Sequence, residues 1–457
     1  MNVGWYLLWF IVAVSLLVTV HEFGHYWVAR RLGFKVLRFS IGFGRPVLRK
    51  VAGADRVEYV VAAIPLGGYV KLLDEREGPV AASELSRSFT RRPPWQRIAV
   101  LLAGPAFNIA FAILVLWGMF WVSGVTEVKP VVGDILQSSV AARGGLRSGD
   151  QIRAINGVPV AGQRDVIFDL LDAMSSSGEA VLAVRGEDGS NRTARLNVSD
   201  PDERRHLTEP SALFKGLGFQ FWSPPIPAVL GQVVPDGPAA RAGLRTGDRV
   251  ISIDGAPVTD FRDIVSQIGS RPGEKVSLTY RRGGVDTVVS ITVASDEVGG
   301  KRVGRIKVLQ PAGVTLPESM LIHTDLAPFA ALGHATNEAW SMTVLQARLF
   351  WRMLAGQVSL KNLSGPLSIA EFAGESAEAG VSSFMGFLVL ISLSLGFLNL
   401  LPIPILDGGQ IVFQLVEWLK GSPLSERAQA FGQQVGIALL ILLMGVALFN
   451  DIARQLS

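Results

Sequence analysis

Two of the five histidines stand four residues apart, in His21-Glu22-Phe23-Gly24-His25. On a helix that spacing puts both imidazoles on one face, a turn apart, where a single zinc ion can take both. Glu22 is offset by one position and can reach a water on that ion. Zinc lowers the pKa of such a water towards 7, and a carboxylate can take its proton and pass it on. The chemistry is metal-assisted hydrolysis. With no cysteine in the chain, disulfides, iron–sulfur clusters, thiol catalysis and cysteine-based zinc sites are excluded. A catalytic zinc takes three protein ligands and keeps one open position. The residues after His25 are Tyr-Trp-Val-Ala-Arg-Arg, with no donor at a zincin's spacing, so the third ligand comes from afar. His206 lies in a charged stretch and reads as surface, and His323 and His334 are not expected to ligate.

The elements that position these groups are apolar. Of the 457 residues 49% are hydrophobic and only 18% charged, well below the roughly 25% charged of soluble domains. A membrane-spanning helix needs about 20 apolar residues. Val3 to Val20 is uncharged for 18 residues, Ile98 to Ser123 and Val381 to Leu406 for 26 each, and Phe431 to Phe449 for 19. We therefore expect four transmembrane segments. A cleaved signal peptide is disfavoured for the first, which lacks a basic leader and a small-residue cleavage site. Arg30 to Arg97 holds 14 basic against six acidic residues, and Met1 to Leu8 holds none, which places the 30–97 loop in the cytoplasm. Both termini and the stretch from about 124 to 380 then lie outside, periplasmic in a bacterium. A net charge of +4 with no long basic run gives no sign of nucleic-acid binding.

This topology selects the third ligand. Asn399-Leu-Leu-Pro402-Ile-Pro404-Ile-Leu-Asp407-Gly408-Gly409 ends the third span on the cytoplasmic side, at the depth of His21 and His25, and makes Asp407 the best candidate. The outer stretch repeats itself after 98 residues: Ser139 to Asp150 with Asn156-Gly157, then Pro238 to Asp248 with Asp254-Gly255. Each copy sets an Ala-rich helix, a Gly-Asp turn, an apolar strand and a hairpin turn in sequence. The copies resemble bacterial protease-associated PDZ domains. Gly216-Leu217-Gly218-Phe219, upstream of the second copy, matches the PDZ carboxylate-binding loop. Residues 328–380 turn helical, with Trp340, Leu345, Leu349 and Leu354 on roughly one face of an amphipathic segment.

Taken together, His-Glu-Phe-Gly-His, Asn-x-x-Pro-x-Pro-x-Leu-Asp-Gly, Gly104-Pro105-Ala-Phe-Asn108, Ser364-Gly365-Pro366, four spans and two PDZ-like repeats resemble the site-2 protease family of intramembrane zinc metalloproteases over nearly the whole chain. The resemblance implies His21, His25 and Asp407 as ligands of Zn2+, Glu22 as the catalytic carboxylate, and Asn399, Pro402 and Pro404 in the substrate-contacting segment. It also implies that Phe39–Gly44 and Tyr59–Tyr69 form a membrane-re-entrant β element with an edge strand for the unwound substrate. The expected fold is a polytopic α-helical membrane protein with four transmembrane helices, this re-entrant element and two tandem periplasmic α+β PDZ domains. Its divisions are 1–123, 124–200 (first PDZ), 215–300 (second PDZ), 315–380 and 381–457. The expected partners are the lipid bilayer and single-pass membrane substrates, namely an anti-sigma factor already trimmed on its outer side and remnant signal peptides, with the PDZ pair as a size filter. The expected location is the bacterial inner membrane, with the active site near its cytoplasmic side. The rival class is a non-enzymatic PDZ membrane scaffold, which has no need for Glu22; a metal transporter would need a longer path of polar ligands.

Overall fold

The computed structural model describes residues 3–209, 212–298, 301–311, 315–422 and 424–456. Helix α1 (Val3–Arg31) continues past the uncharged run, so the whole His21–His25 motif is helical, and Arg30 and Arg31 sit in its last turn, where they complement the helix dipole. A long hairpin follows, β1 (Val36–Ala52) and β2 (Val57–Leu72). It folds back on itself, so that residues 38–41 pair with 58–61 on one side and with 68–71 on the other. Gly42 and Gly44, at φ +86° and +89°, take the chain through this reversal; a Cβ on Gly42 would lie 2.6 Å from the Ile64 carbonyl oxygen. Among the described strands, segment 68–72 pairs only with 36–41, which leaves it as an edge.

Helix α2 (Pro94–Ser123) starts on a proline, where no N–H is missed, and crosses α1 closely. A Cβ on Gly24 of α1 would stand 2.4 Å from the Ala103 carbonyl oxygen of α2, so glycine sets that approach.

Two αβ units follow. In the first, a four-stranded sheet (Gln151–Ile155, Val158–Pro159, Glu179–Arg185, Asn191–Asn197) packs with helix Gln163–Ser176 around Ile152, Leu170, Met174 and Leu182. The second repeats this with strands Arg249–Ile253, Ala256–Pro257, Lys275–Arg282 and Val285–Thr292 and helix Phe261–Gly269. Alternate residues of Glu179–Arg185 are buried and exposed, as a sheet with one covered face requires.

The expected boundaries need correction. Residues 201–209 and 212–214, outside both expected PDZ divisions, and residues 215–221, expected in the second, belong to the first unit. Helix Pro201–Leu207 is capped by Asp200, and Leu207, Leu213, Leu217 and Phe219 lie in the first core. Strand Phe219–Phe221 returns to pair with Val132–Ile135 of the first unit. The second unit closes in the same way, with Val308–Leu309 on Gln232–Val233, so it extends past the expected end at 300. The expected boundaries at residues 1, 300 and 457 lie outside the described residues. Each unit thus ends on a strand that pairs with its own beginning, a non-local closure that a local repeat does not reveal. Leu321–Thr324 likewise pairs with Val125–Val128 and zips together the entry and exit of the outer stretch.

Helix α3 (Pro328–Leu354) packs on α2, but through Ala331, Ala335 and Ala339 against Ala112, Leu116 and Phe120. Trp340 and Leu354 stay exposed, so the face expected from the large apolar residues is not the one most tightly packed. Helix α4 (Pro366–Glu378) is followed by α5 (Val381–Asn399), which ends before the uncharged run does because Pro402 and Pro404 cannot continue it. Helices α6 (Asp407–Lys420) and α7 (Glu426–Leu456) complete the chain. From α7, Asp451 accepts hydrogen bonds from the Gly365 and Leu367 N–H groups (2.9 Å each) and the Ser368 hydroxyl (2.6 Å), which caps α4. Among the described residues, four helices are long and apolar enough to cross a membrane: α1, α2, α5 and residues Arg427–Arg454 of α7.

Candidate metal centre

His21 and His25 project from one face of α1, as their spacing requires, with Nε2 atoms 3.1 Å apart. Asp407, the first residue of α6, brings Oδ2 to 3.1 Å from His21 Nε2 and 3.5 Å from His25 Nε2. Three lone-pair donors from sequence positions nearly 400 residues apart thus face one point, and among the described residues they form the one such group. Asp407 Oδ2 is buried and, despite its short approach to the imidazoles, makes no well-formed hydrogen bond. A buried carboxylate oxygen left in that state points to a further partner. The donors fit zinc: tetrahedral ligands at about 2.0–2.1 Å from the ion stand about 3.3 Å from one another.

The ring orientations come from α2. Val100 O lies 2.7 Å from His25 Nδ1, so that nitrogen carries the proton and leaves Nε2 as the donor. Asn108 Nδ2 lies 3.3 Å from His21 Nδ1; with that amide turned over, its buried and unpaired oxygen accepts from Nδ1–H and leaves His21 Nε2 for the metal. Gly104, between them, has no side chain because there is no room for one; a Cβ would lie 2.4 Å from His25 Nε2 and 2.7 Å from His21 Cε1. These supports were only partly legible. Gly104 and Asn108 carry a motif, but a main-chain carbonyl such as that of Val100 leaves no mark in the sequence.

A cavity of about 670 Å³ opens on the three donors. Its wall holds Glu22, Asn399, Ile405 and Leu406, and the edge strand contributes Tyr69, Val70, Lys71 and Leu72. Glu22 and Asn399 thus both line the cavity that the three donors face. Pro402 and Pro404 do not line this cavity; they shape the bend between α5 and α6, where the Gln410 side-chain amide donates to Pro404 O (2.8 Å). Behind the bend, a Cβ on Gly408 would meet Leu400 O at 2.3 Å, so the turn into α6 is drawn tight against the end of α5.

Gly216-Leu217-Gly218-Phe219 belongs to the first unit, not the second. Gly218 N–H donates to Phe214 O (2.8 Å), so this amide serves the fold and is not free for a chain terminus. Leu136 N–H donates to Gly218 O, and in the second unit Val234 N–H donates to Lys307 O in the same manner. Lys307 takes φ +58° where Gly218 has +77°, so the counterpart in the second unit is Arg305-Ile306-Lys307-Val308, which no glycine marks.

Residues 9–443 match peptidase family M50. The regulator of sigma-E protease RseP of Escherichia coli is 39% identical over 98% of this chain and 99% of its own length. The regulator of sigma E protease of Salmonella typhi is 40% identical over 99% and 100%. A putative zinc metalloprotease of Neisseria meningitidis is 38% identical over 99% of both chains. A solved PDZ domain of an SdrC-like protein from Listeria innocua is 27% identical over 18% of this chain and 92% of its own, with a TM-score of 0.17. On the match over 9–443 and on relatives of this identity and coverage, the chain belongs to peptidase family M50 and is a zinc-dependent metalloprotease.

Proposed function

We propose that this chain is an intramembrane endopeptidase of the site-2 type, with zinc held by His21, His25 and Asp407. The single observation that carries the reading is the convergence of His21 Nε2, His25 Nε2 and Asp407 Oδ2 at 3.1–3.5 Å inside a cavity that also holds Glu22. When bound, zinc supplies Lewis acidity toward a peptide carbonyl and water. Glu22 takes a proton from the attacking water and hands it to the leaving amine nitrogen. Val100 O keeps the His25 proton on Nδ1, and Asn108 holds the His21 ring.

The substrate is a single-pass membrane helix. Its peptide bonds are hidden in i→i−4 hydrogen bonds and must be unwound before hydrolysis. The edge strand Gly68–Leu72 offers backbone partners to the unwound segment, and Asn399 a side-chain amide. On this reading the basic 30–97 loop and the site face the cytoplasmic side of an inner membrane, and the αβ units lie outside as tandem PDZ domains that exclude bulky ectodomains; the four apolar helices and the basic loop support it. The names of the relatives support a role in sigma-factor control, with a trimmed membrane-bound anti-sigma factor as one substrate and remnant signal peptides as another.

The test is cleavage in detergent of a single-pass helix bearing a short outer stub, by wild type and by Glu22→Gln, with and without chelator. Cleavage by wild type alone, abolished by chelator, is the expected result. Equal cleavage by both proteins would remove Glu22 from the mechanism. A second substrate with a bulky folded stub should be cut far more slowly; equal rates would remove the size filter.

A further inference from the structure

Asp407 is the first residue of α6; the tight bend 400–406 holds that end of the helix, but the place of α6 along α2 also depends on its far end. Arg97, near the start of α2, makes a two-point contact with Glu417, Nη1 to Oε2 at 3.1 Å and Nη2 to Oε1 at 2.7 Å. Arg97 is 4% exposed, and among the described residues Glu417 is the only hydrogen-bond partner of its side chain. A planar fork on a carboxylate fixes direction as well as distance, and neither charge, once buried, can be left alone at small cost.

The pair shares a helix face with the supports of the histidines. Arg97, Val100, Gly104 and Asn108 follow one another at intervals of three, four and four residues, a single stripe on α2. Val100 O and Asn108 orient the two imidazoles, Gly104 makes room for them, and Arg97 holds the helix that carries Asp407. A helix that supplies no donor to the metal is thus the common reference for all three donors.

We propose that Arg97 and Glu417 are a positioning pair that sets the axial place of α6, and with it the place of Asp407 Oδ2 against His21 and His25. The inference rests on the reading of Asp407 as a zinc ligand. Glu417 stands ten residues beyond Asp407, about 15 Å along the helix. Its effect on the metal therefore runs through the rigid helix and not through contact with the ion.

The test uses the full chain in detergent. Zinc affinity is read by competition with a chromophoric chelator, ligand geometry by the visible absorption of the cobalt(II) form, and fold by thermal melting of the metal-free protein. Glu417→Gln should bind zinc several-fold more weakly than wild type, less than the loss of a partner bonded directly to a ligand would cost, and should shift the cobalt bands. Arg97→Lys, which keeps the charge but not the fork, should weaken zinc by a smaller factor in the same direction. Wild-type affinity and cobalt spectrum in a folded Glu417→Gln protein would overturn the proposal. Should that variant fail to fold, wild-type values in Arg97→Lys would overturn it. Asp407→Ala is the separate control: if it binds zinc as tightly as wild type, the ligand reading itself falls.

Discussion

The membrane helices and the two αβ units hold their polar groups in opposite ways. In the αβ units, buried charge is met several times over. Asp248 is 1% exposed and accepts from Arg245 N–H (2.8 Å) and from two nitrogens of Arg282 (2.6 Å each). Asp150 occupies the same turn of the first unit, with Arg147 N–H and Arg192 as partners. In the membrane region, Asp451 of α7 apart, the polar groups around the centre have one or two supporting partners each, and the space around them is set by missing atoms, as at Gly24 and Gly104. Small changes in the αβ units should therefore register as stability. Small changes around α1, α2 and α6 should register in metal binding and chemistry.

The sharpest way to break this contrast is at the centre itself. Asp407→Ala should abolish zinc retention on gel filtration, and Glu22→Gln should retain zinc while losing at least 10²-fold in cleavage. Both should leave hydrogen-exchange protection in the αβ units unchanged, and altered protection there would join the two regions. Gly104→Ala comes next. Its methyl would fall within 3 Å of both imidazoles, so metal affinity measured by chelator competition should drop about tenfold or more. Wild-type affinity would mean that the rings have slack the packing does not show.

Gly218→Val carries the comparison into the first unit. Gly218 has φ +77°, and a Cβ there would sit 2.2 Å from Ser139 Cβ, so the first unit should lose roughly 2–4 kcal/mol. Exchange protection should fall in the first unit and hold in the second, with zinc affinity intact. The smallest effect concerns pH. Burial alone would raise the Asp248 carboxyl, but the Arg282 fork and the Arg245 N–H outweigh it and hold it below the usual carboxylate range. A group depressed in the folded state adds stability that is complete above its unfolded value, near 4, and is lost as pH falls through the folded value. The second unit should therefore melt earlier as pH drops from about 5 to 3, and Arg282→Gln should flatten that dependence. An unchanged slope in the variant would assign the acid sensitivity elsewhere.

What could be read beforehand divides along physical lines. The helical period is a local property, so His21, Glu22 and His25 were legible at once. Asp407 followed from the depth of the spans. The closing strands 219–221 and 308–309 were not legible, because pairing across about 80 residues leaves no local pattern, and the Gly216–Phe219 motif was consequently given to the wrong unit. The α2 stripe was hidden for another reason. It acts through a carbonyl, an absent side chain and an ion pair whose members lie 320 residues apart.

The edge strand at 68–72 has a consequence for selectivity on the reading proposed above. Strand pairing engages amides, and nearly every residue presents the same amide. A cavity bordered in this way distinguishes one peptide from another mainly by how readily its helix opens. Glycine eases that opening by about 1 kcal/mol and proline by about 3, roughly fivefold and more than 100-fold in the population presented for cutting. Vulnerability to this enzyme is then written into a membrane segment as helix propensity, and one residue near the cut can make an otherwise ordinary span short-lived.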